Sequence, residues 1–316
     1  KNTLSMLLKK TRKKINIGLI GLGYLGKYHY QKLIKNQLCS LKWIVDSNQQ
    51  QINSINSNIK NTKDFRAIIN DIDAVSIVTP TQSHYLIAKF FLERGKHVLI
   101  EKPMTETVSQ ADKLIKIANK NKVVLQVGLL ERFNPVMEKL EKELKQPMFI
   151  EGHRLAEFNK RSTDIDVIFD LMIHDIDIIM SLIKAKVKKI SAFGKKILTS
   201  SIDIANVRLE FENGCVVNLT ASRISQKNER KIRVFEKNMY LSVDFMNHSI
   251  NKFVKNTSKS KDLFKNKKFK FKKSDALKSE IDNFLKSCQG NEYPKVSGVD
   301  GKNAIVIASM ISSKLK

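Results

Sequence analysis

The stretch from Ile15 to Asp46 constrains this chain more than any other. A short apolar run, Ile15-Asn16-Ile17-Gly18-Leu19-Ile20, leads straight into Gly21-Leu22-Gly23-Tyr24-Leu25-Gly26, a G-x-G-x-x-G turn. A helical pattern through Leu33, Ile34 and Leu38 follows. A second apolar run, Leu41 to Val45, then ends on Asp46, twenty residues past Gly26. This order predicts a buried strand, a tight turn, a helix and a second strand. Gly21 permits the turn, Gly23 lets the backbone approach a pyrophosphate, and Gly26 lets helix and strand pack. The helix begins at Tyr24 and Leu25, whose N–H groups have no partner within the helix and face the phosphate charge. A carboxylate closing the second strand accepts hydrogen bonds from both adenosine ribose hydroxyls. Alone the glycine pattern is weak, but strand, helix and acid stand here at the expected places. Asp46 would repel a 2′-phosphate, and Ser47-Asn48 offers no arginine to hold one, so NAD is favoured over NADP.

The alternation continues downstream. Ser47 to Asn61 reads as a weak helix or surface loop, and Phe65 to Ile69 as a short helix. Ala74 to Val78 is a buried strand stopped by Thr79-Pro80-Thr81, because proline cannot extend a central strand. A helix over His84 to Glu93 ends at Gly95, and His97 to Ile100 forms the next strand before Glu101-Lys102-Pro103. Thr105 is the expected cap of a helix with apolar face Val108, Ala111, Leu114, Ile115 and Ala118, and Val123 to Val127 is a further strand. Strands alternating with helices imply a parallel sheet whose ligands sit beyond the carboxyl ends of the strands. Asp46, Thr79-Pro80 and Glu101-Lys102-Pro103 all fall at those ends.

From about Glu131 the pattern changes. Pro135 opens a helix to Leu144, Met148 to Leu155 reads as a strand, and Ile165 to Leu182 as a helix. Strands follow near 187–193 and 204–212, with an Asn213-Gly214 turn into Cys215 to Ala221, then at 231–236 and 240–245. Two helices, 275–288 and 301–315, close the chain. The expectation is an α/β protein with an N-terminal dinucleotide-binding Rossmann domain, residues 1–130. A C-terminal α+β domain on an open antiparallel sheet, residues 131–316, would bind substrate and pair with another copy.

Composition narrows the function. A chain of 316 residues suits two domains. It has no run long and apolar enough for a membrane span, and its start lacks a signal-peptide core. Three scattered cysteines suggest reduced thiols and a cytoplasmic setting, and no Cys/His cluster has metal-ligand spacing, so no metal is expected. The net charge of +26 invites a nucleic-acid reading, but only 10 of the 57 basic residues are Arg and they are spread along the chain. Nucleic acid is therefore not the expected partner. The ten lysines between Lys252 and Lys273, interleaved with Phe253, Phe264, Phe269 and Phe271, read as a solvated peripheral hairpin.

Two places carry candidate chemistry. Lys102 precedes Pro103 at a strand end beside the expected nicotinamide position, where its ammonium would stabilise a developing alkoxide or polarise a carbonyl. A cis Lys102–Pro103 bond is also considered. In the run Phe169 to Asp177, Asp170 and His174 stand at i and i+4 on one helix face. The carboxylate would orient the imidazole to take a proton from a hydroxyl near neutral pH. The same residues also fit an acid cluster at a helix start with a core histidine. His84 and His29 read as packing or backbone-bonding residues, and Trp43 as core.

These motifs together resemble the Gfo/Idh/MocA family: Gly21-x-Gly23-x-x-Gly26, Thr79-Pro80 with His84, Glu101-Lys102-Pro103, and Asp170-x-x-x-His174, in the family's order across nearly the whole chain. The resemblance implies reversible oxidation of a sugar-like secondary alcohol by a homo-oligomer, a homodimer or homotetramer joined through its open sheets. By that resemblance Thr79, Pro80, His84 and Glu101 border the cofactor. Lys102 orients substrate, His174 is the acid/base and Asp170 its partner. Val167, Ile168 and Met172 replace glycines common in the family, which would make the substrate side bulkier and argue against a free sugar. Glu131 to Pro135 with Asp170 to Asp177 looks like members acting on nucleotide sugars. Arg154, Lys160 and Arg161 would then meet a diphosphate, with Arg132 and Asp177 beside the substrate. The competing readings are a biliverdin-reductase-like or imine reductase on the same fold, and a dinucleotide-binding regulator without turnover.

Overall fold

The computed structural model describes residues 14–55, 58–159, 165–256 and 262–315. The chain divides into two compact units. One holds the residues up to Gly128 with Leu277–Val299, the other Leu129–Ala276 with the chain from Asp300 onward.

The first unit is built on β1 (Ile15–Ile20), β2 (Cys39–Val45), β3 (Lys60–Thr62), β4 (Ala74–Ile77), β5 (His97–Glu101) and β6 (Leu125–Gly128). The strand order is β3-β2-β1-β4-β5-β6, with every pair parallel. Between β1 and β4 the order reverses, which opens a crevice at the carboxyl ends of those strands. β4 and β6 are buried at every position, as continuous apolar strands between two helical layers must be. The helices are α1 (Tyr24–Leu33), α2 (Gln49–Asn53), α3 (Thr81–Glu93) and α4 (Val108–Asn121). The cap of α4 is Thr107, not Thr105. Thr107 and Gln110 form a reciprocal capping box, while the buried Thr105 donates to the Thr107 carbonyl at 2.9 Å. Trp43 is half-buried rather than core, with Nε1 donating to Asp71 at 2.8 Å.

The second unit contains α5 (Pro135–Glu143), β7 (Phe149–Leu155), α6 (Ile173–Leu182), β8 (Val187–Lys195), β9 (Ile204–Phe211), β10 (Val216–Ser222), β11 (Glu229–Glu236), β12 (Met239–Asp244), β13 (Ser249–Lys255) and β14 (Phe264–Lys270). Its sheet order is β14-β13-β12-β11-β7-β10-β9-β8. The sheet is mixed rather than antiparallel throughout, because β7 enters between β10 and β11 and runs parallel to β10. Along β7, Ile150, Gly152 and Arg154 are buried, while Glu151 and His153 lie on the opposite, more open face. Gly214, at φ +85, completes the turn between β9 and β10. The lysine-rich hairpin β13–β14 forms the sheet edge, and its β14 is almost wholly exposed. The helix expected over 165–182 opens with a wide π-helical turn, Ile168–Met172, before α6.

The terminal helices are α7 (Ala276–Cys288) and α8 (Gly298–Ser312). Ile281, Phe284 and Leu285 of α7 join the first unit's core with Ile17, Leu19, Leu33 and Leu99. The sequence reading left this helix in the second domain. Its apolar stripe shows that it covers a sheet but not which one. Among the described residues no helix is long and apolar enough to cross a membrane.

Candidate active site

The glycine turn is explained by two clashes and one open space. Gly21 adopts φ +94, and a Cβ there would stand 2.3 Å from the Val78 carbonyl oxygen. A Cβ on Gly26 would stand 2.2 Å from the Gly21 carbonyl, so only glycine lets α1 start against the turn. Gly23 differs. It caps α1 in ordinary extended geometry, at φ −63, and nothing lies within 4 Å of where its Cβ would be. No contact among the described residues demands glycine there, which fits a ligand approaching the backbone closely. Tyr24 and Leu25 follow in the first helical turn, 58% and 38% exposed.

Asp46 stands at the end of β2. Its Oδ2 accepts from the Leu22 N–H at 2.7 Å and its Oδ1 from Asn48 at 2.8 Å. Each oxygen keeps a second lone pair for a hydroxyl. A cavity of about 600 Å³ joins these parts, lined by Gly21, Gly23, Asp46, Lys63, Thr79 and Pro80 among others. Its size and its mixture of apolar walls with a carboxylate and a helix start fit a dinucleotide. Lys63 drew no notice in the sequence, because a lone lysine in a loop carries no pattern.

Two neighbouring turns are tied by His84. Its Nδ1 lies 2.9 Å from the Pro103 carbonyl and its Nε2 2.8 Å from that of Thr79. Burial holds the ring's basicity below the ordinary histidine value, with the two carbonyls and the Glu101 charge opposing. His84 thus supports the Thr79-Pro80 and Pro103 turns from beneath. The Lys102–Pro103 peptide is cis, and Lys102 is half-buried. Glu101 turns its carboxylate toward His29 Nε2 at 3.0 Å and accepts the Lys102 N–H at 3.3 Å.

In the second unit, Asp170 lies in the π-helical turn and His174 in the first turn of α6, both half-buried. A π-helical insertion rotates the residues after it relative to those before, a device common at functional sites. One turn on, Asp177 is 3% exposed and accepts from Arg132 Nη1 at 3.2 Å. Burial, with Asp300 adding and Arg132 opposing, pushes the Asp177 carboxyl up to about 7. Arg132 Nε and Asp177 Oδ2 are buried and have no hydrogen-bond partner among the described residues.

Arg154, expected at a substrate phosphate, is 3% exposed, and all three of its guanidinium nitrogens are engaged. Nε and Nη2 meet Asp175 at 2.9 and 2.7 Å, and Nη1 meets Glu131 at 3.0 Å. Burial works against the Glu131 charge, yet Arg154 and Arg230 hold its carboxyl below the usual range. Burial also pushes the Asp175 carboxyl up, with Arg154 opposing. Glu131 and the run holding Asp175 entered the sequence analysis only through the family resemblance, and their pairing with Arg154 did not, because a buried ion pair leaves no local spacing to detect. Val167, Ile168 and Met172 are 0% exposed, so they pack the interior instead of adding bulk at an open surface. Arg161 and Lys160 lie outside the described residues.

Comparison with known proteins bears on all of this. Residues 15–129 match the model described as "Oxidoreductase family, NAD-binding Rossmann fold", and residues 144–240 match the GFO/IDH/MocA C-terminal domain. A UDP-N-acetylglucosamine 3-dehydrogenase from Acidithiobacillus ferrooxidans is 33% identical over 93% of this chain and 95% of its own. Its crystal structure superposes with a TM-score of 0.90 at 32% identity, covering 96% of this chain and 98% of that one. Myo-inositol 2-dehydrogenase from Thermotoga maritima is 25% identical over 96% of both chains. At the level of fold alone, scyllo-inositol dehydrogenase from Lactobacillus casei, solved with NAD(H) and scyllo-inositol, has a TM-score of 0.81 at 19% identity, covering 96% and 97%.

Proposed function

The chain belongs to the Gfo/Idh/MocA family of NAD-binding oxidoreductases, and from that premise we propose that it oxidises one secondary hydroxyl of a nucleotide sugar of the UDP-N-acetylglucosamine kind, or reduces the matching ketone. The observation that carries the reading is the sheet edge of the first unit. The Gly21–Gly26 turn, Asp46, Thr79-Pro80 and Glu101-Lys102-Pro103 all stand at carboxyl ends of adjacent parallel strands. When bound, NAD supplies the acceptor for the hydride leaving the alcohol carbon. The chain's own residues do the rest. Lys102 orients the reacting oxygen and offsets its developing negative charge. His174 takes the hydroxyl proton, and Asp170 steadies the imidazole as it becomes charged. Arg132 Nε and Asp177 Oδ2, buried and unpaired, suit polar groups of the substrate. Arg161 is assigned to the diphosphate, and Arg154 is reassigned from the substrate to the support of α6.

The test is direct. Purified protein, NAD and UDP-N-acetylglucosamine should yield NADH absorbance, with free N-acetylglucosamine and myo-inositol turned over far more slowly. Lys102→Ala and His174→Ala should each lower kcat by about a hundredfold or more while leaving NADH binding intact. Preferential oxidation of inositol would keep the family and discard the nucleotide sugar. NADH should bind more tightly than NADPH, because Asp46 repels a 2′-phosphate. The reverse order would assign Lys63 to that phosphate. The open sheet face, with Glu151, His153, Asn218 and Arg233, is the surface we assign to a second copy of the chain in the cytoplasm. Light scattering that finds a monomer at high concentration would refute the assembly.

A further inference from the structure

Glu280 belongs to no motif, yet α7 carries it back into the first unit, where its side chain is 0% exposed. Gln126 of β6 donates to its backbone carbonyl at 3.0 Å and so fixes that turn of the helix against the sheet. Neither carboxyl oxygen of Glu280 has a hydrogen-bond partner among the described residues. One of them belongs to the one cluster of possible metal-ligand groups found among the described residues. Ligand atoms of His29 from α1, Glu101 from β5 and Glu280 lie within 4.8 Å of one another. His29 is wedged in turn between Ser76 Oγ at 2.9 Å and Glu101 Oε1 at 3.0 Å. Gly128 closes the cluster, since a Cβ there would lie 2.8 Å from Glu101 Oε1.

Two carboxylates this close, Glu280 fully buried and Glu101 12% exposed, do not both stay charged unless a cation joins them. A proton or a divalent metal ion would serve. The His29–Glu101 hydrogen bond decides between them. It is already satisfied at 3.0 Å, and a metal held by all three groups would have to break it. Glu280 alone lacks a partner, so it is the group that must be neutral. Burial first and the Glu101 charge second push its carboxyl well above the usual range, in the same direction.

We propose that Glu280 is a positioning residue for Lys102: as a buried, neutral carboxylic acid it backs the Glu101 carboxylate, which holds the Lys102 N–H and so sets the end of β5. The proposal rests on the assignment of Lys102 to the reacting oxygen. Loss of the Glu280 proton places a second negative charge behind Glu101 and disturbs its contact with the Lys102 N–H. The titratable groups facing Glu280 are Glu101 and His29, with Gln126 as the neutral polar neighbour.

The experiment follows the Lys102 backbone amide by NMR from neutral to alkaline pH in the NAD-bound enzyme, alongside the infrared carbonyl stretch of a protonated carboxyl group. In wild type the amide should shift with the alkaline loss of that stretch. In Glu280→Gln, which keeps the shape and stays neutral, the part of the stretch lost at alkaline pH, beyond the Asp177 titration at about 7, should be absent and the amide shift abolished. That variant should keep kcat within about threefold at neutral pH and lose the alkaline fall in kcat, with KM for NAD unchanged. Glu280→Ala should lower kcat at least tenfold. A wild-type spectrum without a protonated carboxyl at neutral pH would overturn the proposal, as would an amide titration that survives in Glu280→Gln. One bound metal per chain that Glu280→Gln removes would overturn it in favour of a cation. The wild-type readings stand even if a variant fails to fold. Because they need no turnover, a failure of the nucleotide-sugar assignment leaves them interpretable.

Discussion

Replacing Arg154 with methionine separates two readings of that residue. The side chain is 3% exposed and makes three contacts of 2.7 to 3.0 Å, two to Asp175 and one to Glu131. Methionine fills similar volume but strands the Asp175 carboxylate in the interior and takes one of two cations from Glu131. Removing one partner of a buried ion pair costs about 3–5 kcal/mol, because the remaining charge is left uncompensated. Arg230 still reaches Glu131 at 3.1 Å, so the larger part of the loss falls on Asp175. Against a total stability of roughly 5–15 kcal/mol this is a large fraction, and it should lower Tm by roughly 10 °C. Adding Asp175→Asn to Arg154→Met removes the stranded charge and should recover about half of the loss. Urea denaturation and the KM for UDP-N-acetylglucosamine would be measured on the same preparations. If Arg154→Met unfolds with the wild-type midpoint and only KM rises, the side chain serves the substrate and the buried-pair argument is wrong.

Gly23→Val should leave the unfolding midpoint nearly unchanged, since nothing lies within 4 Å of the new Cβ, yet weaken NADH binding at least tenfold by fluorescence titration. Equal NADH affinity would mean that no ligand backbone contact is made there. Asp177 makes stability depend on pH. Its carboxyl titrates near 3.8 in the unfolded chain and at about 7 when folded. Its contribution to stability is therefore fully present below about pH 4 and lost as pH rises through about 7. Denaturation series should show the stability of wild type relative to Asp177→Asn falling across that window and flat above it. A constant difference from pH 4 to 8 would show that Asp177 is ionised throughout.

Much of the first unit was legible in the residues. The turn at Gly21 to Gly26, the strand stop at Thr79-Pro80 and the C-terminal glycine after α3 are local devices, each set by what one backbone position permits. The cofactor side of the site follows from them, because parallel strands bring their carboxyl ends to one edge. The substrate side was harder to read. Arg154 and Arg161 were grouped at a diphosphate by their charge, but alternation along β7 puts Arg154 on the buried face. Val167, Ile168 and Met172 suggested bulk toward a ligand, yet the π-helical turn and α6 bury them. Thr105 was the expected helix cap, but the reciprocal bonds with Gln110 select Thr107.

What the residues settled by themselves was the chemistry available at each strand end, since turns, caps and periodic faces depend on neighbours a few positions away. Only the tertiary structure decided which distant groups share an interior. It returned α7 to the first sheet through Gln126 and the Glu280 carbonyl, 154 residues apart, set β7 between β10 and β11, and closed Arg154 between Glu131 and Asp175. Those outcomes come from burying apolar area between elements far apart in the chain. That driving force has no direction along the sequence, so no local pattern could specify them.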